Sequence, residues 1–132
     1  MKNLFLICAL FSVFFCNSQV NNTKIENPNT YYFNEAIEKP ATFPGGMEAF
    51  EKFFKENFVV TDKVPSFREP IKILMEFIVE KDGTLSAMRI TRHFGFDSKK
   101  EGLRVLAKSP KWNPGMEGGK IVRSKCEIFC FI

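Results

Sequence analysis

The chain has 132 residues, 45% of them hydrophobic, and its 19 Lys and Arg against 15 Asp and Glu leave a net charge of +4. That length allows one domain with appendages. So small a basic surplus, with charges of both signs mixed along the exposed faces, points away from nucleic acid as a partner.

Residues 1–18 read as a targeting segment. Lys2 supplies the positive start, residues 4–15 form an apolar run, and Cys16-Asn17-Ser18 places small residues ahead of a cleavage site before Gln19. The run is shorter than the ~20 residues of a comfortable membrane span, so cleavage and export are expected. An uncleaved membrane anchor, or a lipid anchor on Cys16, is the alternative. Cleavage would remove Lys2 and no acid, taking the charge from +4 to +3.

Residues 19–39 are polar and Asn-rich and then reach Tyr31, Tyr32 and Phe33. They read as a flexible leader passing into an extended arm that can lie against the domain. The domain itself is expected over residues 40–132. Pro44-Gly45 is a turn signal, and Gly45-Gly46 precede a run of helical spacing. In that run Met47, Phe50, Phe53, Phe54 and Phe58 share one face, while Glu48, Glu51, Lys52, Lys55 and Glu56 share the other. No further glycine, Lys or Ser/Thr follows at phosphate-loop spacing, so the two glycines are a turn into the helix rather than an anion cradle. Pro65 and Pro70 then keep residues 59–70 irregular.

Residues 71–80 are the organising stretch. Ile71, Ile73, Met75, Phe77 and Val79 are apolar at every second position, the period of a strand with one buried face. Asp82-Gly83 signals a hairpin, and residues 85–92 return as a second strand. Ser98 with Glu101 fits a capping box opening a second helix whose apolar side is Leu103, Val105, Leu106 and Ala107. Pro110 ends it. Trp112, Pro114, Gly115, Gly118 and Gly119 make a compact turn, and residues 121–132 form a last strand. Along it Val122, Ser124, Cys126, Ile128, Cys130 and Ile132 face one way, and Arg123, Lys125, Glu127, Phe129 and Phe131 the other.

The fold class expected from this order is α+β. The second helix carries the chain back, so an all-antiparallel three-stranded sheet requires spatial order 2-1-3, with both helices on one face and the last strand as an edge. Cys126 and Cys130, four residues apart on one strand, lie ~13 Å apart, and a disulfide needs less than ~7 Å. They read as small buried apolar residues. With His93 the single histidine, a metal centre lacks ligands. No Ser or Cys nucleophile motif accompanies His93; Asp82 belongs to its turn and Asp97 to a helix start. No catalytic residue, cofactor or small-molecule substrate is therefore expected.

Three motifs in order carry a resemblance. Phe43-Pro44-Gly45-Gly46 before a Phe-rich helix, Phe77-x-Val79-x-x-Asp82-Gly83 at the hairpin, and Trp112-x-Pro114-Gly115-x-x-x-Gly119 before a final strand resemble the C-terminal domain of TonB, the energy transducer of Gram-negative outer-membrane transport. The similarity covers roughly residues 40–132. It implies a periplasmic, non-catalytic module that pairs its last strand with an extended segment of an outer-membrane receptor or other envelope protein. A transducer of that kind also has a membrane anchor and a long Pro-rich stretch; neither is read here, so the binding half of the mechanism is the expectation and a short anchored transducer its alternative. The partner-binding residues expected are Ile121, Val122, Arg123, Ser124, Lys125, Cys126 and Glu127, with Arg123 and Lys125 either favouring an acidic partner or blunting the edge. Proline at Ser124 or Cys126 should then abolish binding with little loss of fold. The same edge allows a homodimer.

Overall fold

The computed structural model of the chain describes residues 27–59 and 70–132. The expected targeting segment, the start of the leader and the connection carrying Pro65 lie outside them. The chain enters along β1 (Tyr32–Phe33), makes a 3-10 turn (Asn34–Ala36) and reaches Phe43-Pro44-Gly45-Gly46. There the Gly46 N–H donates to the Phe43 carbonyl at 2.8 Å. Gly45, third in that turn, has φ 89° and ψ 1°, as a type II turn requires of its third residue. Helix α1 (Gly46–Asn57) follows and buries Phe50 and Phe54 completely.

Strand β2 (Lys72–Val79) pairs antiparallel with β3 (Leu85–Arg92), the hairpin expected from Asp82-Gly83. Asp82 Oδ1 accepts from the Thr84 N–H at 3.0 Å and from its hydroxyl at 2.6 Å, fixing the turn. Helix α2 (Phe96–Ala107) begins two residues before Ser98, with Gly95 as its cap residue. Ser98 therefore acts from inside the first turn. Its hydroxyl donates to the Gly95 carbonyl at 2.7 Å and accepts from the Phe94 N–H at 3.2 Å. Glu101 is drawn away from the expected capping box by Arg104.

The last segment is split where one strand was expected. Strands β4 (Gly115–Glu117) and β5 (Lys120–Val122) form a small separate hairpin around Gly118-Gly119. Arg123 breaks the run, and β6 (Ser124–Phe131) joins the main sheet. Its order is β1-β6-β2-β3. Strand β2 lies between β3 and β6 and is antiparallel to both, as the 2-1-3 order anticipates. The sheet is nevertheless four-stranded and mixed, because Tyr32 and Phe33 pair parallel with Ser124 and Lys125. The arm is extended where it passes the start of β6, and backbone groups there take it as a partner.

Both helices cover one face. Ile73, Met75, Phe77, Val79, Cys126 and Cys130 meet Phe50, Phe54, Val105 and Leu106 in a single core. Trp112 sits within it, its ring edge-on to Phe43 at 5.6 Å, Phe50 at 5.3 Å and Phe77 at 5.1 Å. Its indole N–H donates to Ser109 Oγ at 2.9 Å, so burial leaves no polar atom stranded. The Trp112 backbone N–H donates to the Gly83 carbonyl at 2.8 Å. A Cβ on Gly83 would lie 2.2 Å from the Trp112 carbonyl oxygen, on a backbone at φ 85°. The hairpin turn and the tryptophan thus dock directly. Strand β3 carries a bulge where Glu76 pairs with Arg89 and Ile78 with Ser86, and Ala87 within it has φ 47°.

Two substitutions test this packing by urea unfolding. Gly83→Ala should cost about 2–3 kcal/mol, combining a left-handed backbone with a clash against main chain. Ala87→Gly should gain about 0.5–1 kcal/mol by relieving the left-handed conformation. A Gly83→Ala protein as stable as the parent would contradict the close approach.

Candidate functional site: the open flank of the last strand

Which backbone groups of β6 are committed follows from one pair. Ile71 and Ile132 exchange both hydrogen bonds, at 3.1 and 2.9 Å. In an antiparallel ladder such pairs alternate with pairs that exchange none. Carried along the register, the bonded pairs are Ile73 with Cys130, Met75 with Ile128, Phe77 with Cys126 and Val79 with Ser124. Residues 123, 125, 127, 129 and 131 therefore aim their N–H and C=O groups away from β2. Tyr32 confirms the phase, donating its N–H to the Arg123 carbonyl at 2.9 Å. Strand β1 stops at Phe33, opposite Lys125. Among the described residues no strand pairs with Glu127, Phe129 or Phe131 on that side. The open flank is residues 127–131.

The residues expected to bind a partner are distributed differently. Ile121 and Val122 belong to β5 in the separate hairpin. Ser124 and Lys125 already pair with β1. Ser124 and Cys126 turn their backbone groups inward to β2, so proline at either would break the central ladder rather than only the edge. Of the seven, Glu127 alone presents backbone groups to the open flank. The motif residues Phe43, Pro44, Gly45, Gly46, Asp82, Gly83, Trp112, Pro114, Gly115 and Gly119 lie in turns, in the core and in the β4–β5 hairpin, where they shape the domain.

The basic residues are spoken for. Arg123 grips Glu80 with two nitrogens, at 2.7 and 3.0 Å, and donates a third bond to the Pro28 carbonyl, which ties the leader down. Lys125 meets Glu76 at 3.2 Å, and Arg89 meets the same carboxylate at 3.0 Å. Glu80 is held below the ordinary glutamate range mainly by the Arg123 guanidinium, with the Ser86 hydroxyl adding to it. Glu76 is lowered likewise, first by Arg89 and then by Lys125. Glu101 is lowered by Arg104, and also accepts the Val59 N–H at 2.9 Å. Arg104 in turn donates to the Asn57 carbonyl at 2.6 Å, fastening the end of α1 to α2. Sequence offered no signal for the pairs at Glu76 and Glu80, whose partners are distant in the chain, whereas Glu101 and Arg104 stand three apart on α2, the spacing of a helical pair.

Side chains alternate along the flank. Cys126, Ile128 and Cys130 are buried on the helix side, and Glu127, Phe129 and Phe131 are exposed on the other. Burial pushes both thiols up to about 12, so they remain protonated at neutral pH. Phe129 and Phe131 are 39% and 47% exposed, and the Lys72 ammonium lies 3.6 Å over the Phe129 ring. On the helix side a cavity of about 300 Å³ adjoins Cys126, Glu127 and Ile128. His93 stands apart, its Nδ1 accepting the Gly95 N–H at 3.2 Å. Among the described residues no three His, Cys, Asp or Glu side chains are grouped to hold a metal ion. No helix among them is long and apolar enough to cross a membrane.

No protein-family model, curated protein or solved structure matches this chain.

The paired carboxylates set the acid behaviour. A folded-state pKa below the unfolded one contributes stability above the unfolded value, and that stability is lost as the pH falls through the folded value. Glu76, Glu80 and Glu101 should therefore leave stability flat above about pH 6 and let it fall below about pH 4.3, the ordinary glutamate value. Glu80→Gln should lower stability at neutral pH and flatten the acid decline. Equal acid slopes for parent and variant in urea unfolding would contradict the Arg123–Glu80 pairing.

Proposed function

We propose that this domain is a non-catalytic binding module that takes an extended segment of another polypeptide onto residues 127–131 by strand addition. The observation that carries the proposal is the set of N–H and C=O groups on Glu127, Phe129 and Phe131, aligned on a regular strand beyond the end of β1. Such a row gives affinity through main-chain bonds, while alternate side chains give selectivity. The opposite edge supports the choice by contrast. Strand β3 is bulged at Ala87 and carries Arg89 and Arg92, two of the devices that turn an edge away from pairing.

The three motifs that resemble the TonB C-terminal domain agree with this mode of action. On that likeness the partner is an extended segment of an outer-membrane receptor or another envelope protein, met in the periplasm after export. The alternative is a short transducer that keeps its N-terminal segment in the membrane. The flank begins at Glu127, at the far end of the stretch singled out from sequence, because Ile121 and Val122 belong to β5 and β1 already occupies Ser124 and Lys125.

The test uses proline placed by ladder phase. Phe129→Pro removes a donor that faces the open flank, a position where sheets tolerate proline. It should unfold close to the parent yet lose capture of peptides from an array of extended envelope-protein segments. Cys126→Pro breaks a β2–β6 bond and should cost about 3 kcal/mol or more. Undiminished peptide capture by folded Phe129→Pro protein would remove the strand-addition reading.

A further inference from the structure

The cavity beside the flank has a definite chemistry. At about 300 Å³ it sits at the small end of ligand sites, which run from ~300 to ~1,000 Å³. Phe43, Met47, Trp112 and Ile128 give it apolar walls, and among the described residues Glu35 and Glu127 are the charged ones in its lining. Met47 is 48% exposed at its mouth, on the first turn of α1. The cavity shares a wall with the β6 backbone from Cys126 to Ile128. A strand added to the flank would place the side chain opposite Ile128 on the helix side, into this space.

The neighbouring guest residue, opposite Glu127, would point to the other face, alongside the Glu127 carboxylate. That carboxylate is exposed and pairs with no cation among the described residues of the free protein. Glu127 stands directly across from Glu76 in a pair without mutual hydrogen bonds, where side chains approach closest and like charges are unfavourable. Arg89 and Lys125 both go to Glu76, and Arg123 goes to Glu80. Lys72 is drawn over Phe129 instead. Among the described residues Glu127 has no cation.

We infer that the cavity is the side-chain pocket of this edge, and that it takes one large aliphatic or aromatic residue of an extended segment in which the adjacent residue is Lys or Arg. The inference rests on the strand-addition reading and deepens it. Of the two sequence readings of Arg123 and Lys125, it sets aside the acidic partner: both are neutralised within the fold, so the flank presents Glu127, and the fitting partner is basic and apolar.

The experiment is selection from a random octapeptide display library against the full chain, repeated with Glu127→Lys, Met47→Trp and Phe129→Pro proteins whose folding is checked by circular dichroism. The parent should enrich peptides with Lys or Arg beside Leu, Ile, Met or Phe. Glu127→Lys should replace that basic residue with Asp or Glu and bind the parent's peptides roughly fivefold more weakly at low salt. Met47→Trp, which narrows the mouth, should shift the anchor toward smaller side chains. Enriched peptides lost by Phe129→Pro but lacking the basic–apolar pair, or indifferent to Glu127→Lys, would overturn the pocket assignment and leave strand addition standing. Peptides that bind Phe129→Pro protein as well as the parent, or a library with no binder, would overturn strand addition itself.

Discussion

The alternation of hydrogen bonding along β2 and β6 governs the rest of this structure. One bonded pair, Ile71 with Ile132, fixes the phase for the whole ladder. Residues 124, 126, 128 and 130 then spend their backbone groups inward, and their side chains go to the core. Residues 125, 127, 129 and 131 do the opposite with both. A slip of one residue would bury Glu127 and Phe129 and expose Cys126 and Ile128, so the apolar pattern that builds the core also selects which donors and acceptors remain for a guest. Core and flank are two consequences of one register.

That register is held from outside the strand. Trp112 meets Phe43, Phe50 and Phe77, and its main chain lies against Gly83. The turn before α1, the central strand and the hairpin tip therefore converge on one ring. The leader is fastened separately. Arg123 holds Pro28 and Glu80 together, and Asn34 exchanges two bonds with Ala41, at 2.7 and 3.2 Å. Strand β1 thereby covers the first two positions of β6 and, by ending there, defines where the open flank starts.

Much of this was legible in the residues, and the exceptions have physical causes. The period-two run at 71–80, Asp82-Gly83 and the Phe spacing after Gly46 each report a local constraint, and they sufficed for two helices, the hairpin and the order of three strands. Tyr32–Phe33 escaped notice as a strand because two residues carry no periodicity; their pairing is made by the tertiary structure. The break at Arg123 is hidden because Val122, Ser124 and Cys126 keep alternating across it. Ser98 was placed at the helix boundary when it lies in the first turn, since a serine can cap from either position. Residues 121–127, singled out from sequence, differ from the unpaired stretch 127–131 for a related reason. Face alternation shows which side chains are buried, but ladder phase and the partners of Arg123 and Lys125 depend on contacts with Glu76, Glu80 and β1 that are far away in the chain.

Backbone amide hydrogen exchange of the free protein, followed residue by residue by NMR, tests the central claim most directly. Amides of Cys126, Ile128 and Cys130 should be strongly protected, and those of Glu127, Phe129 and Phe131 should exchange fast, an alternation confined to the second half of β6. Uniform protection across residues 126–131, or protection with the opposite phase, would contradict the account.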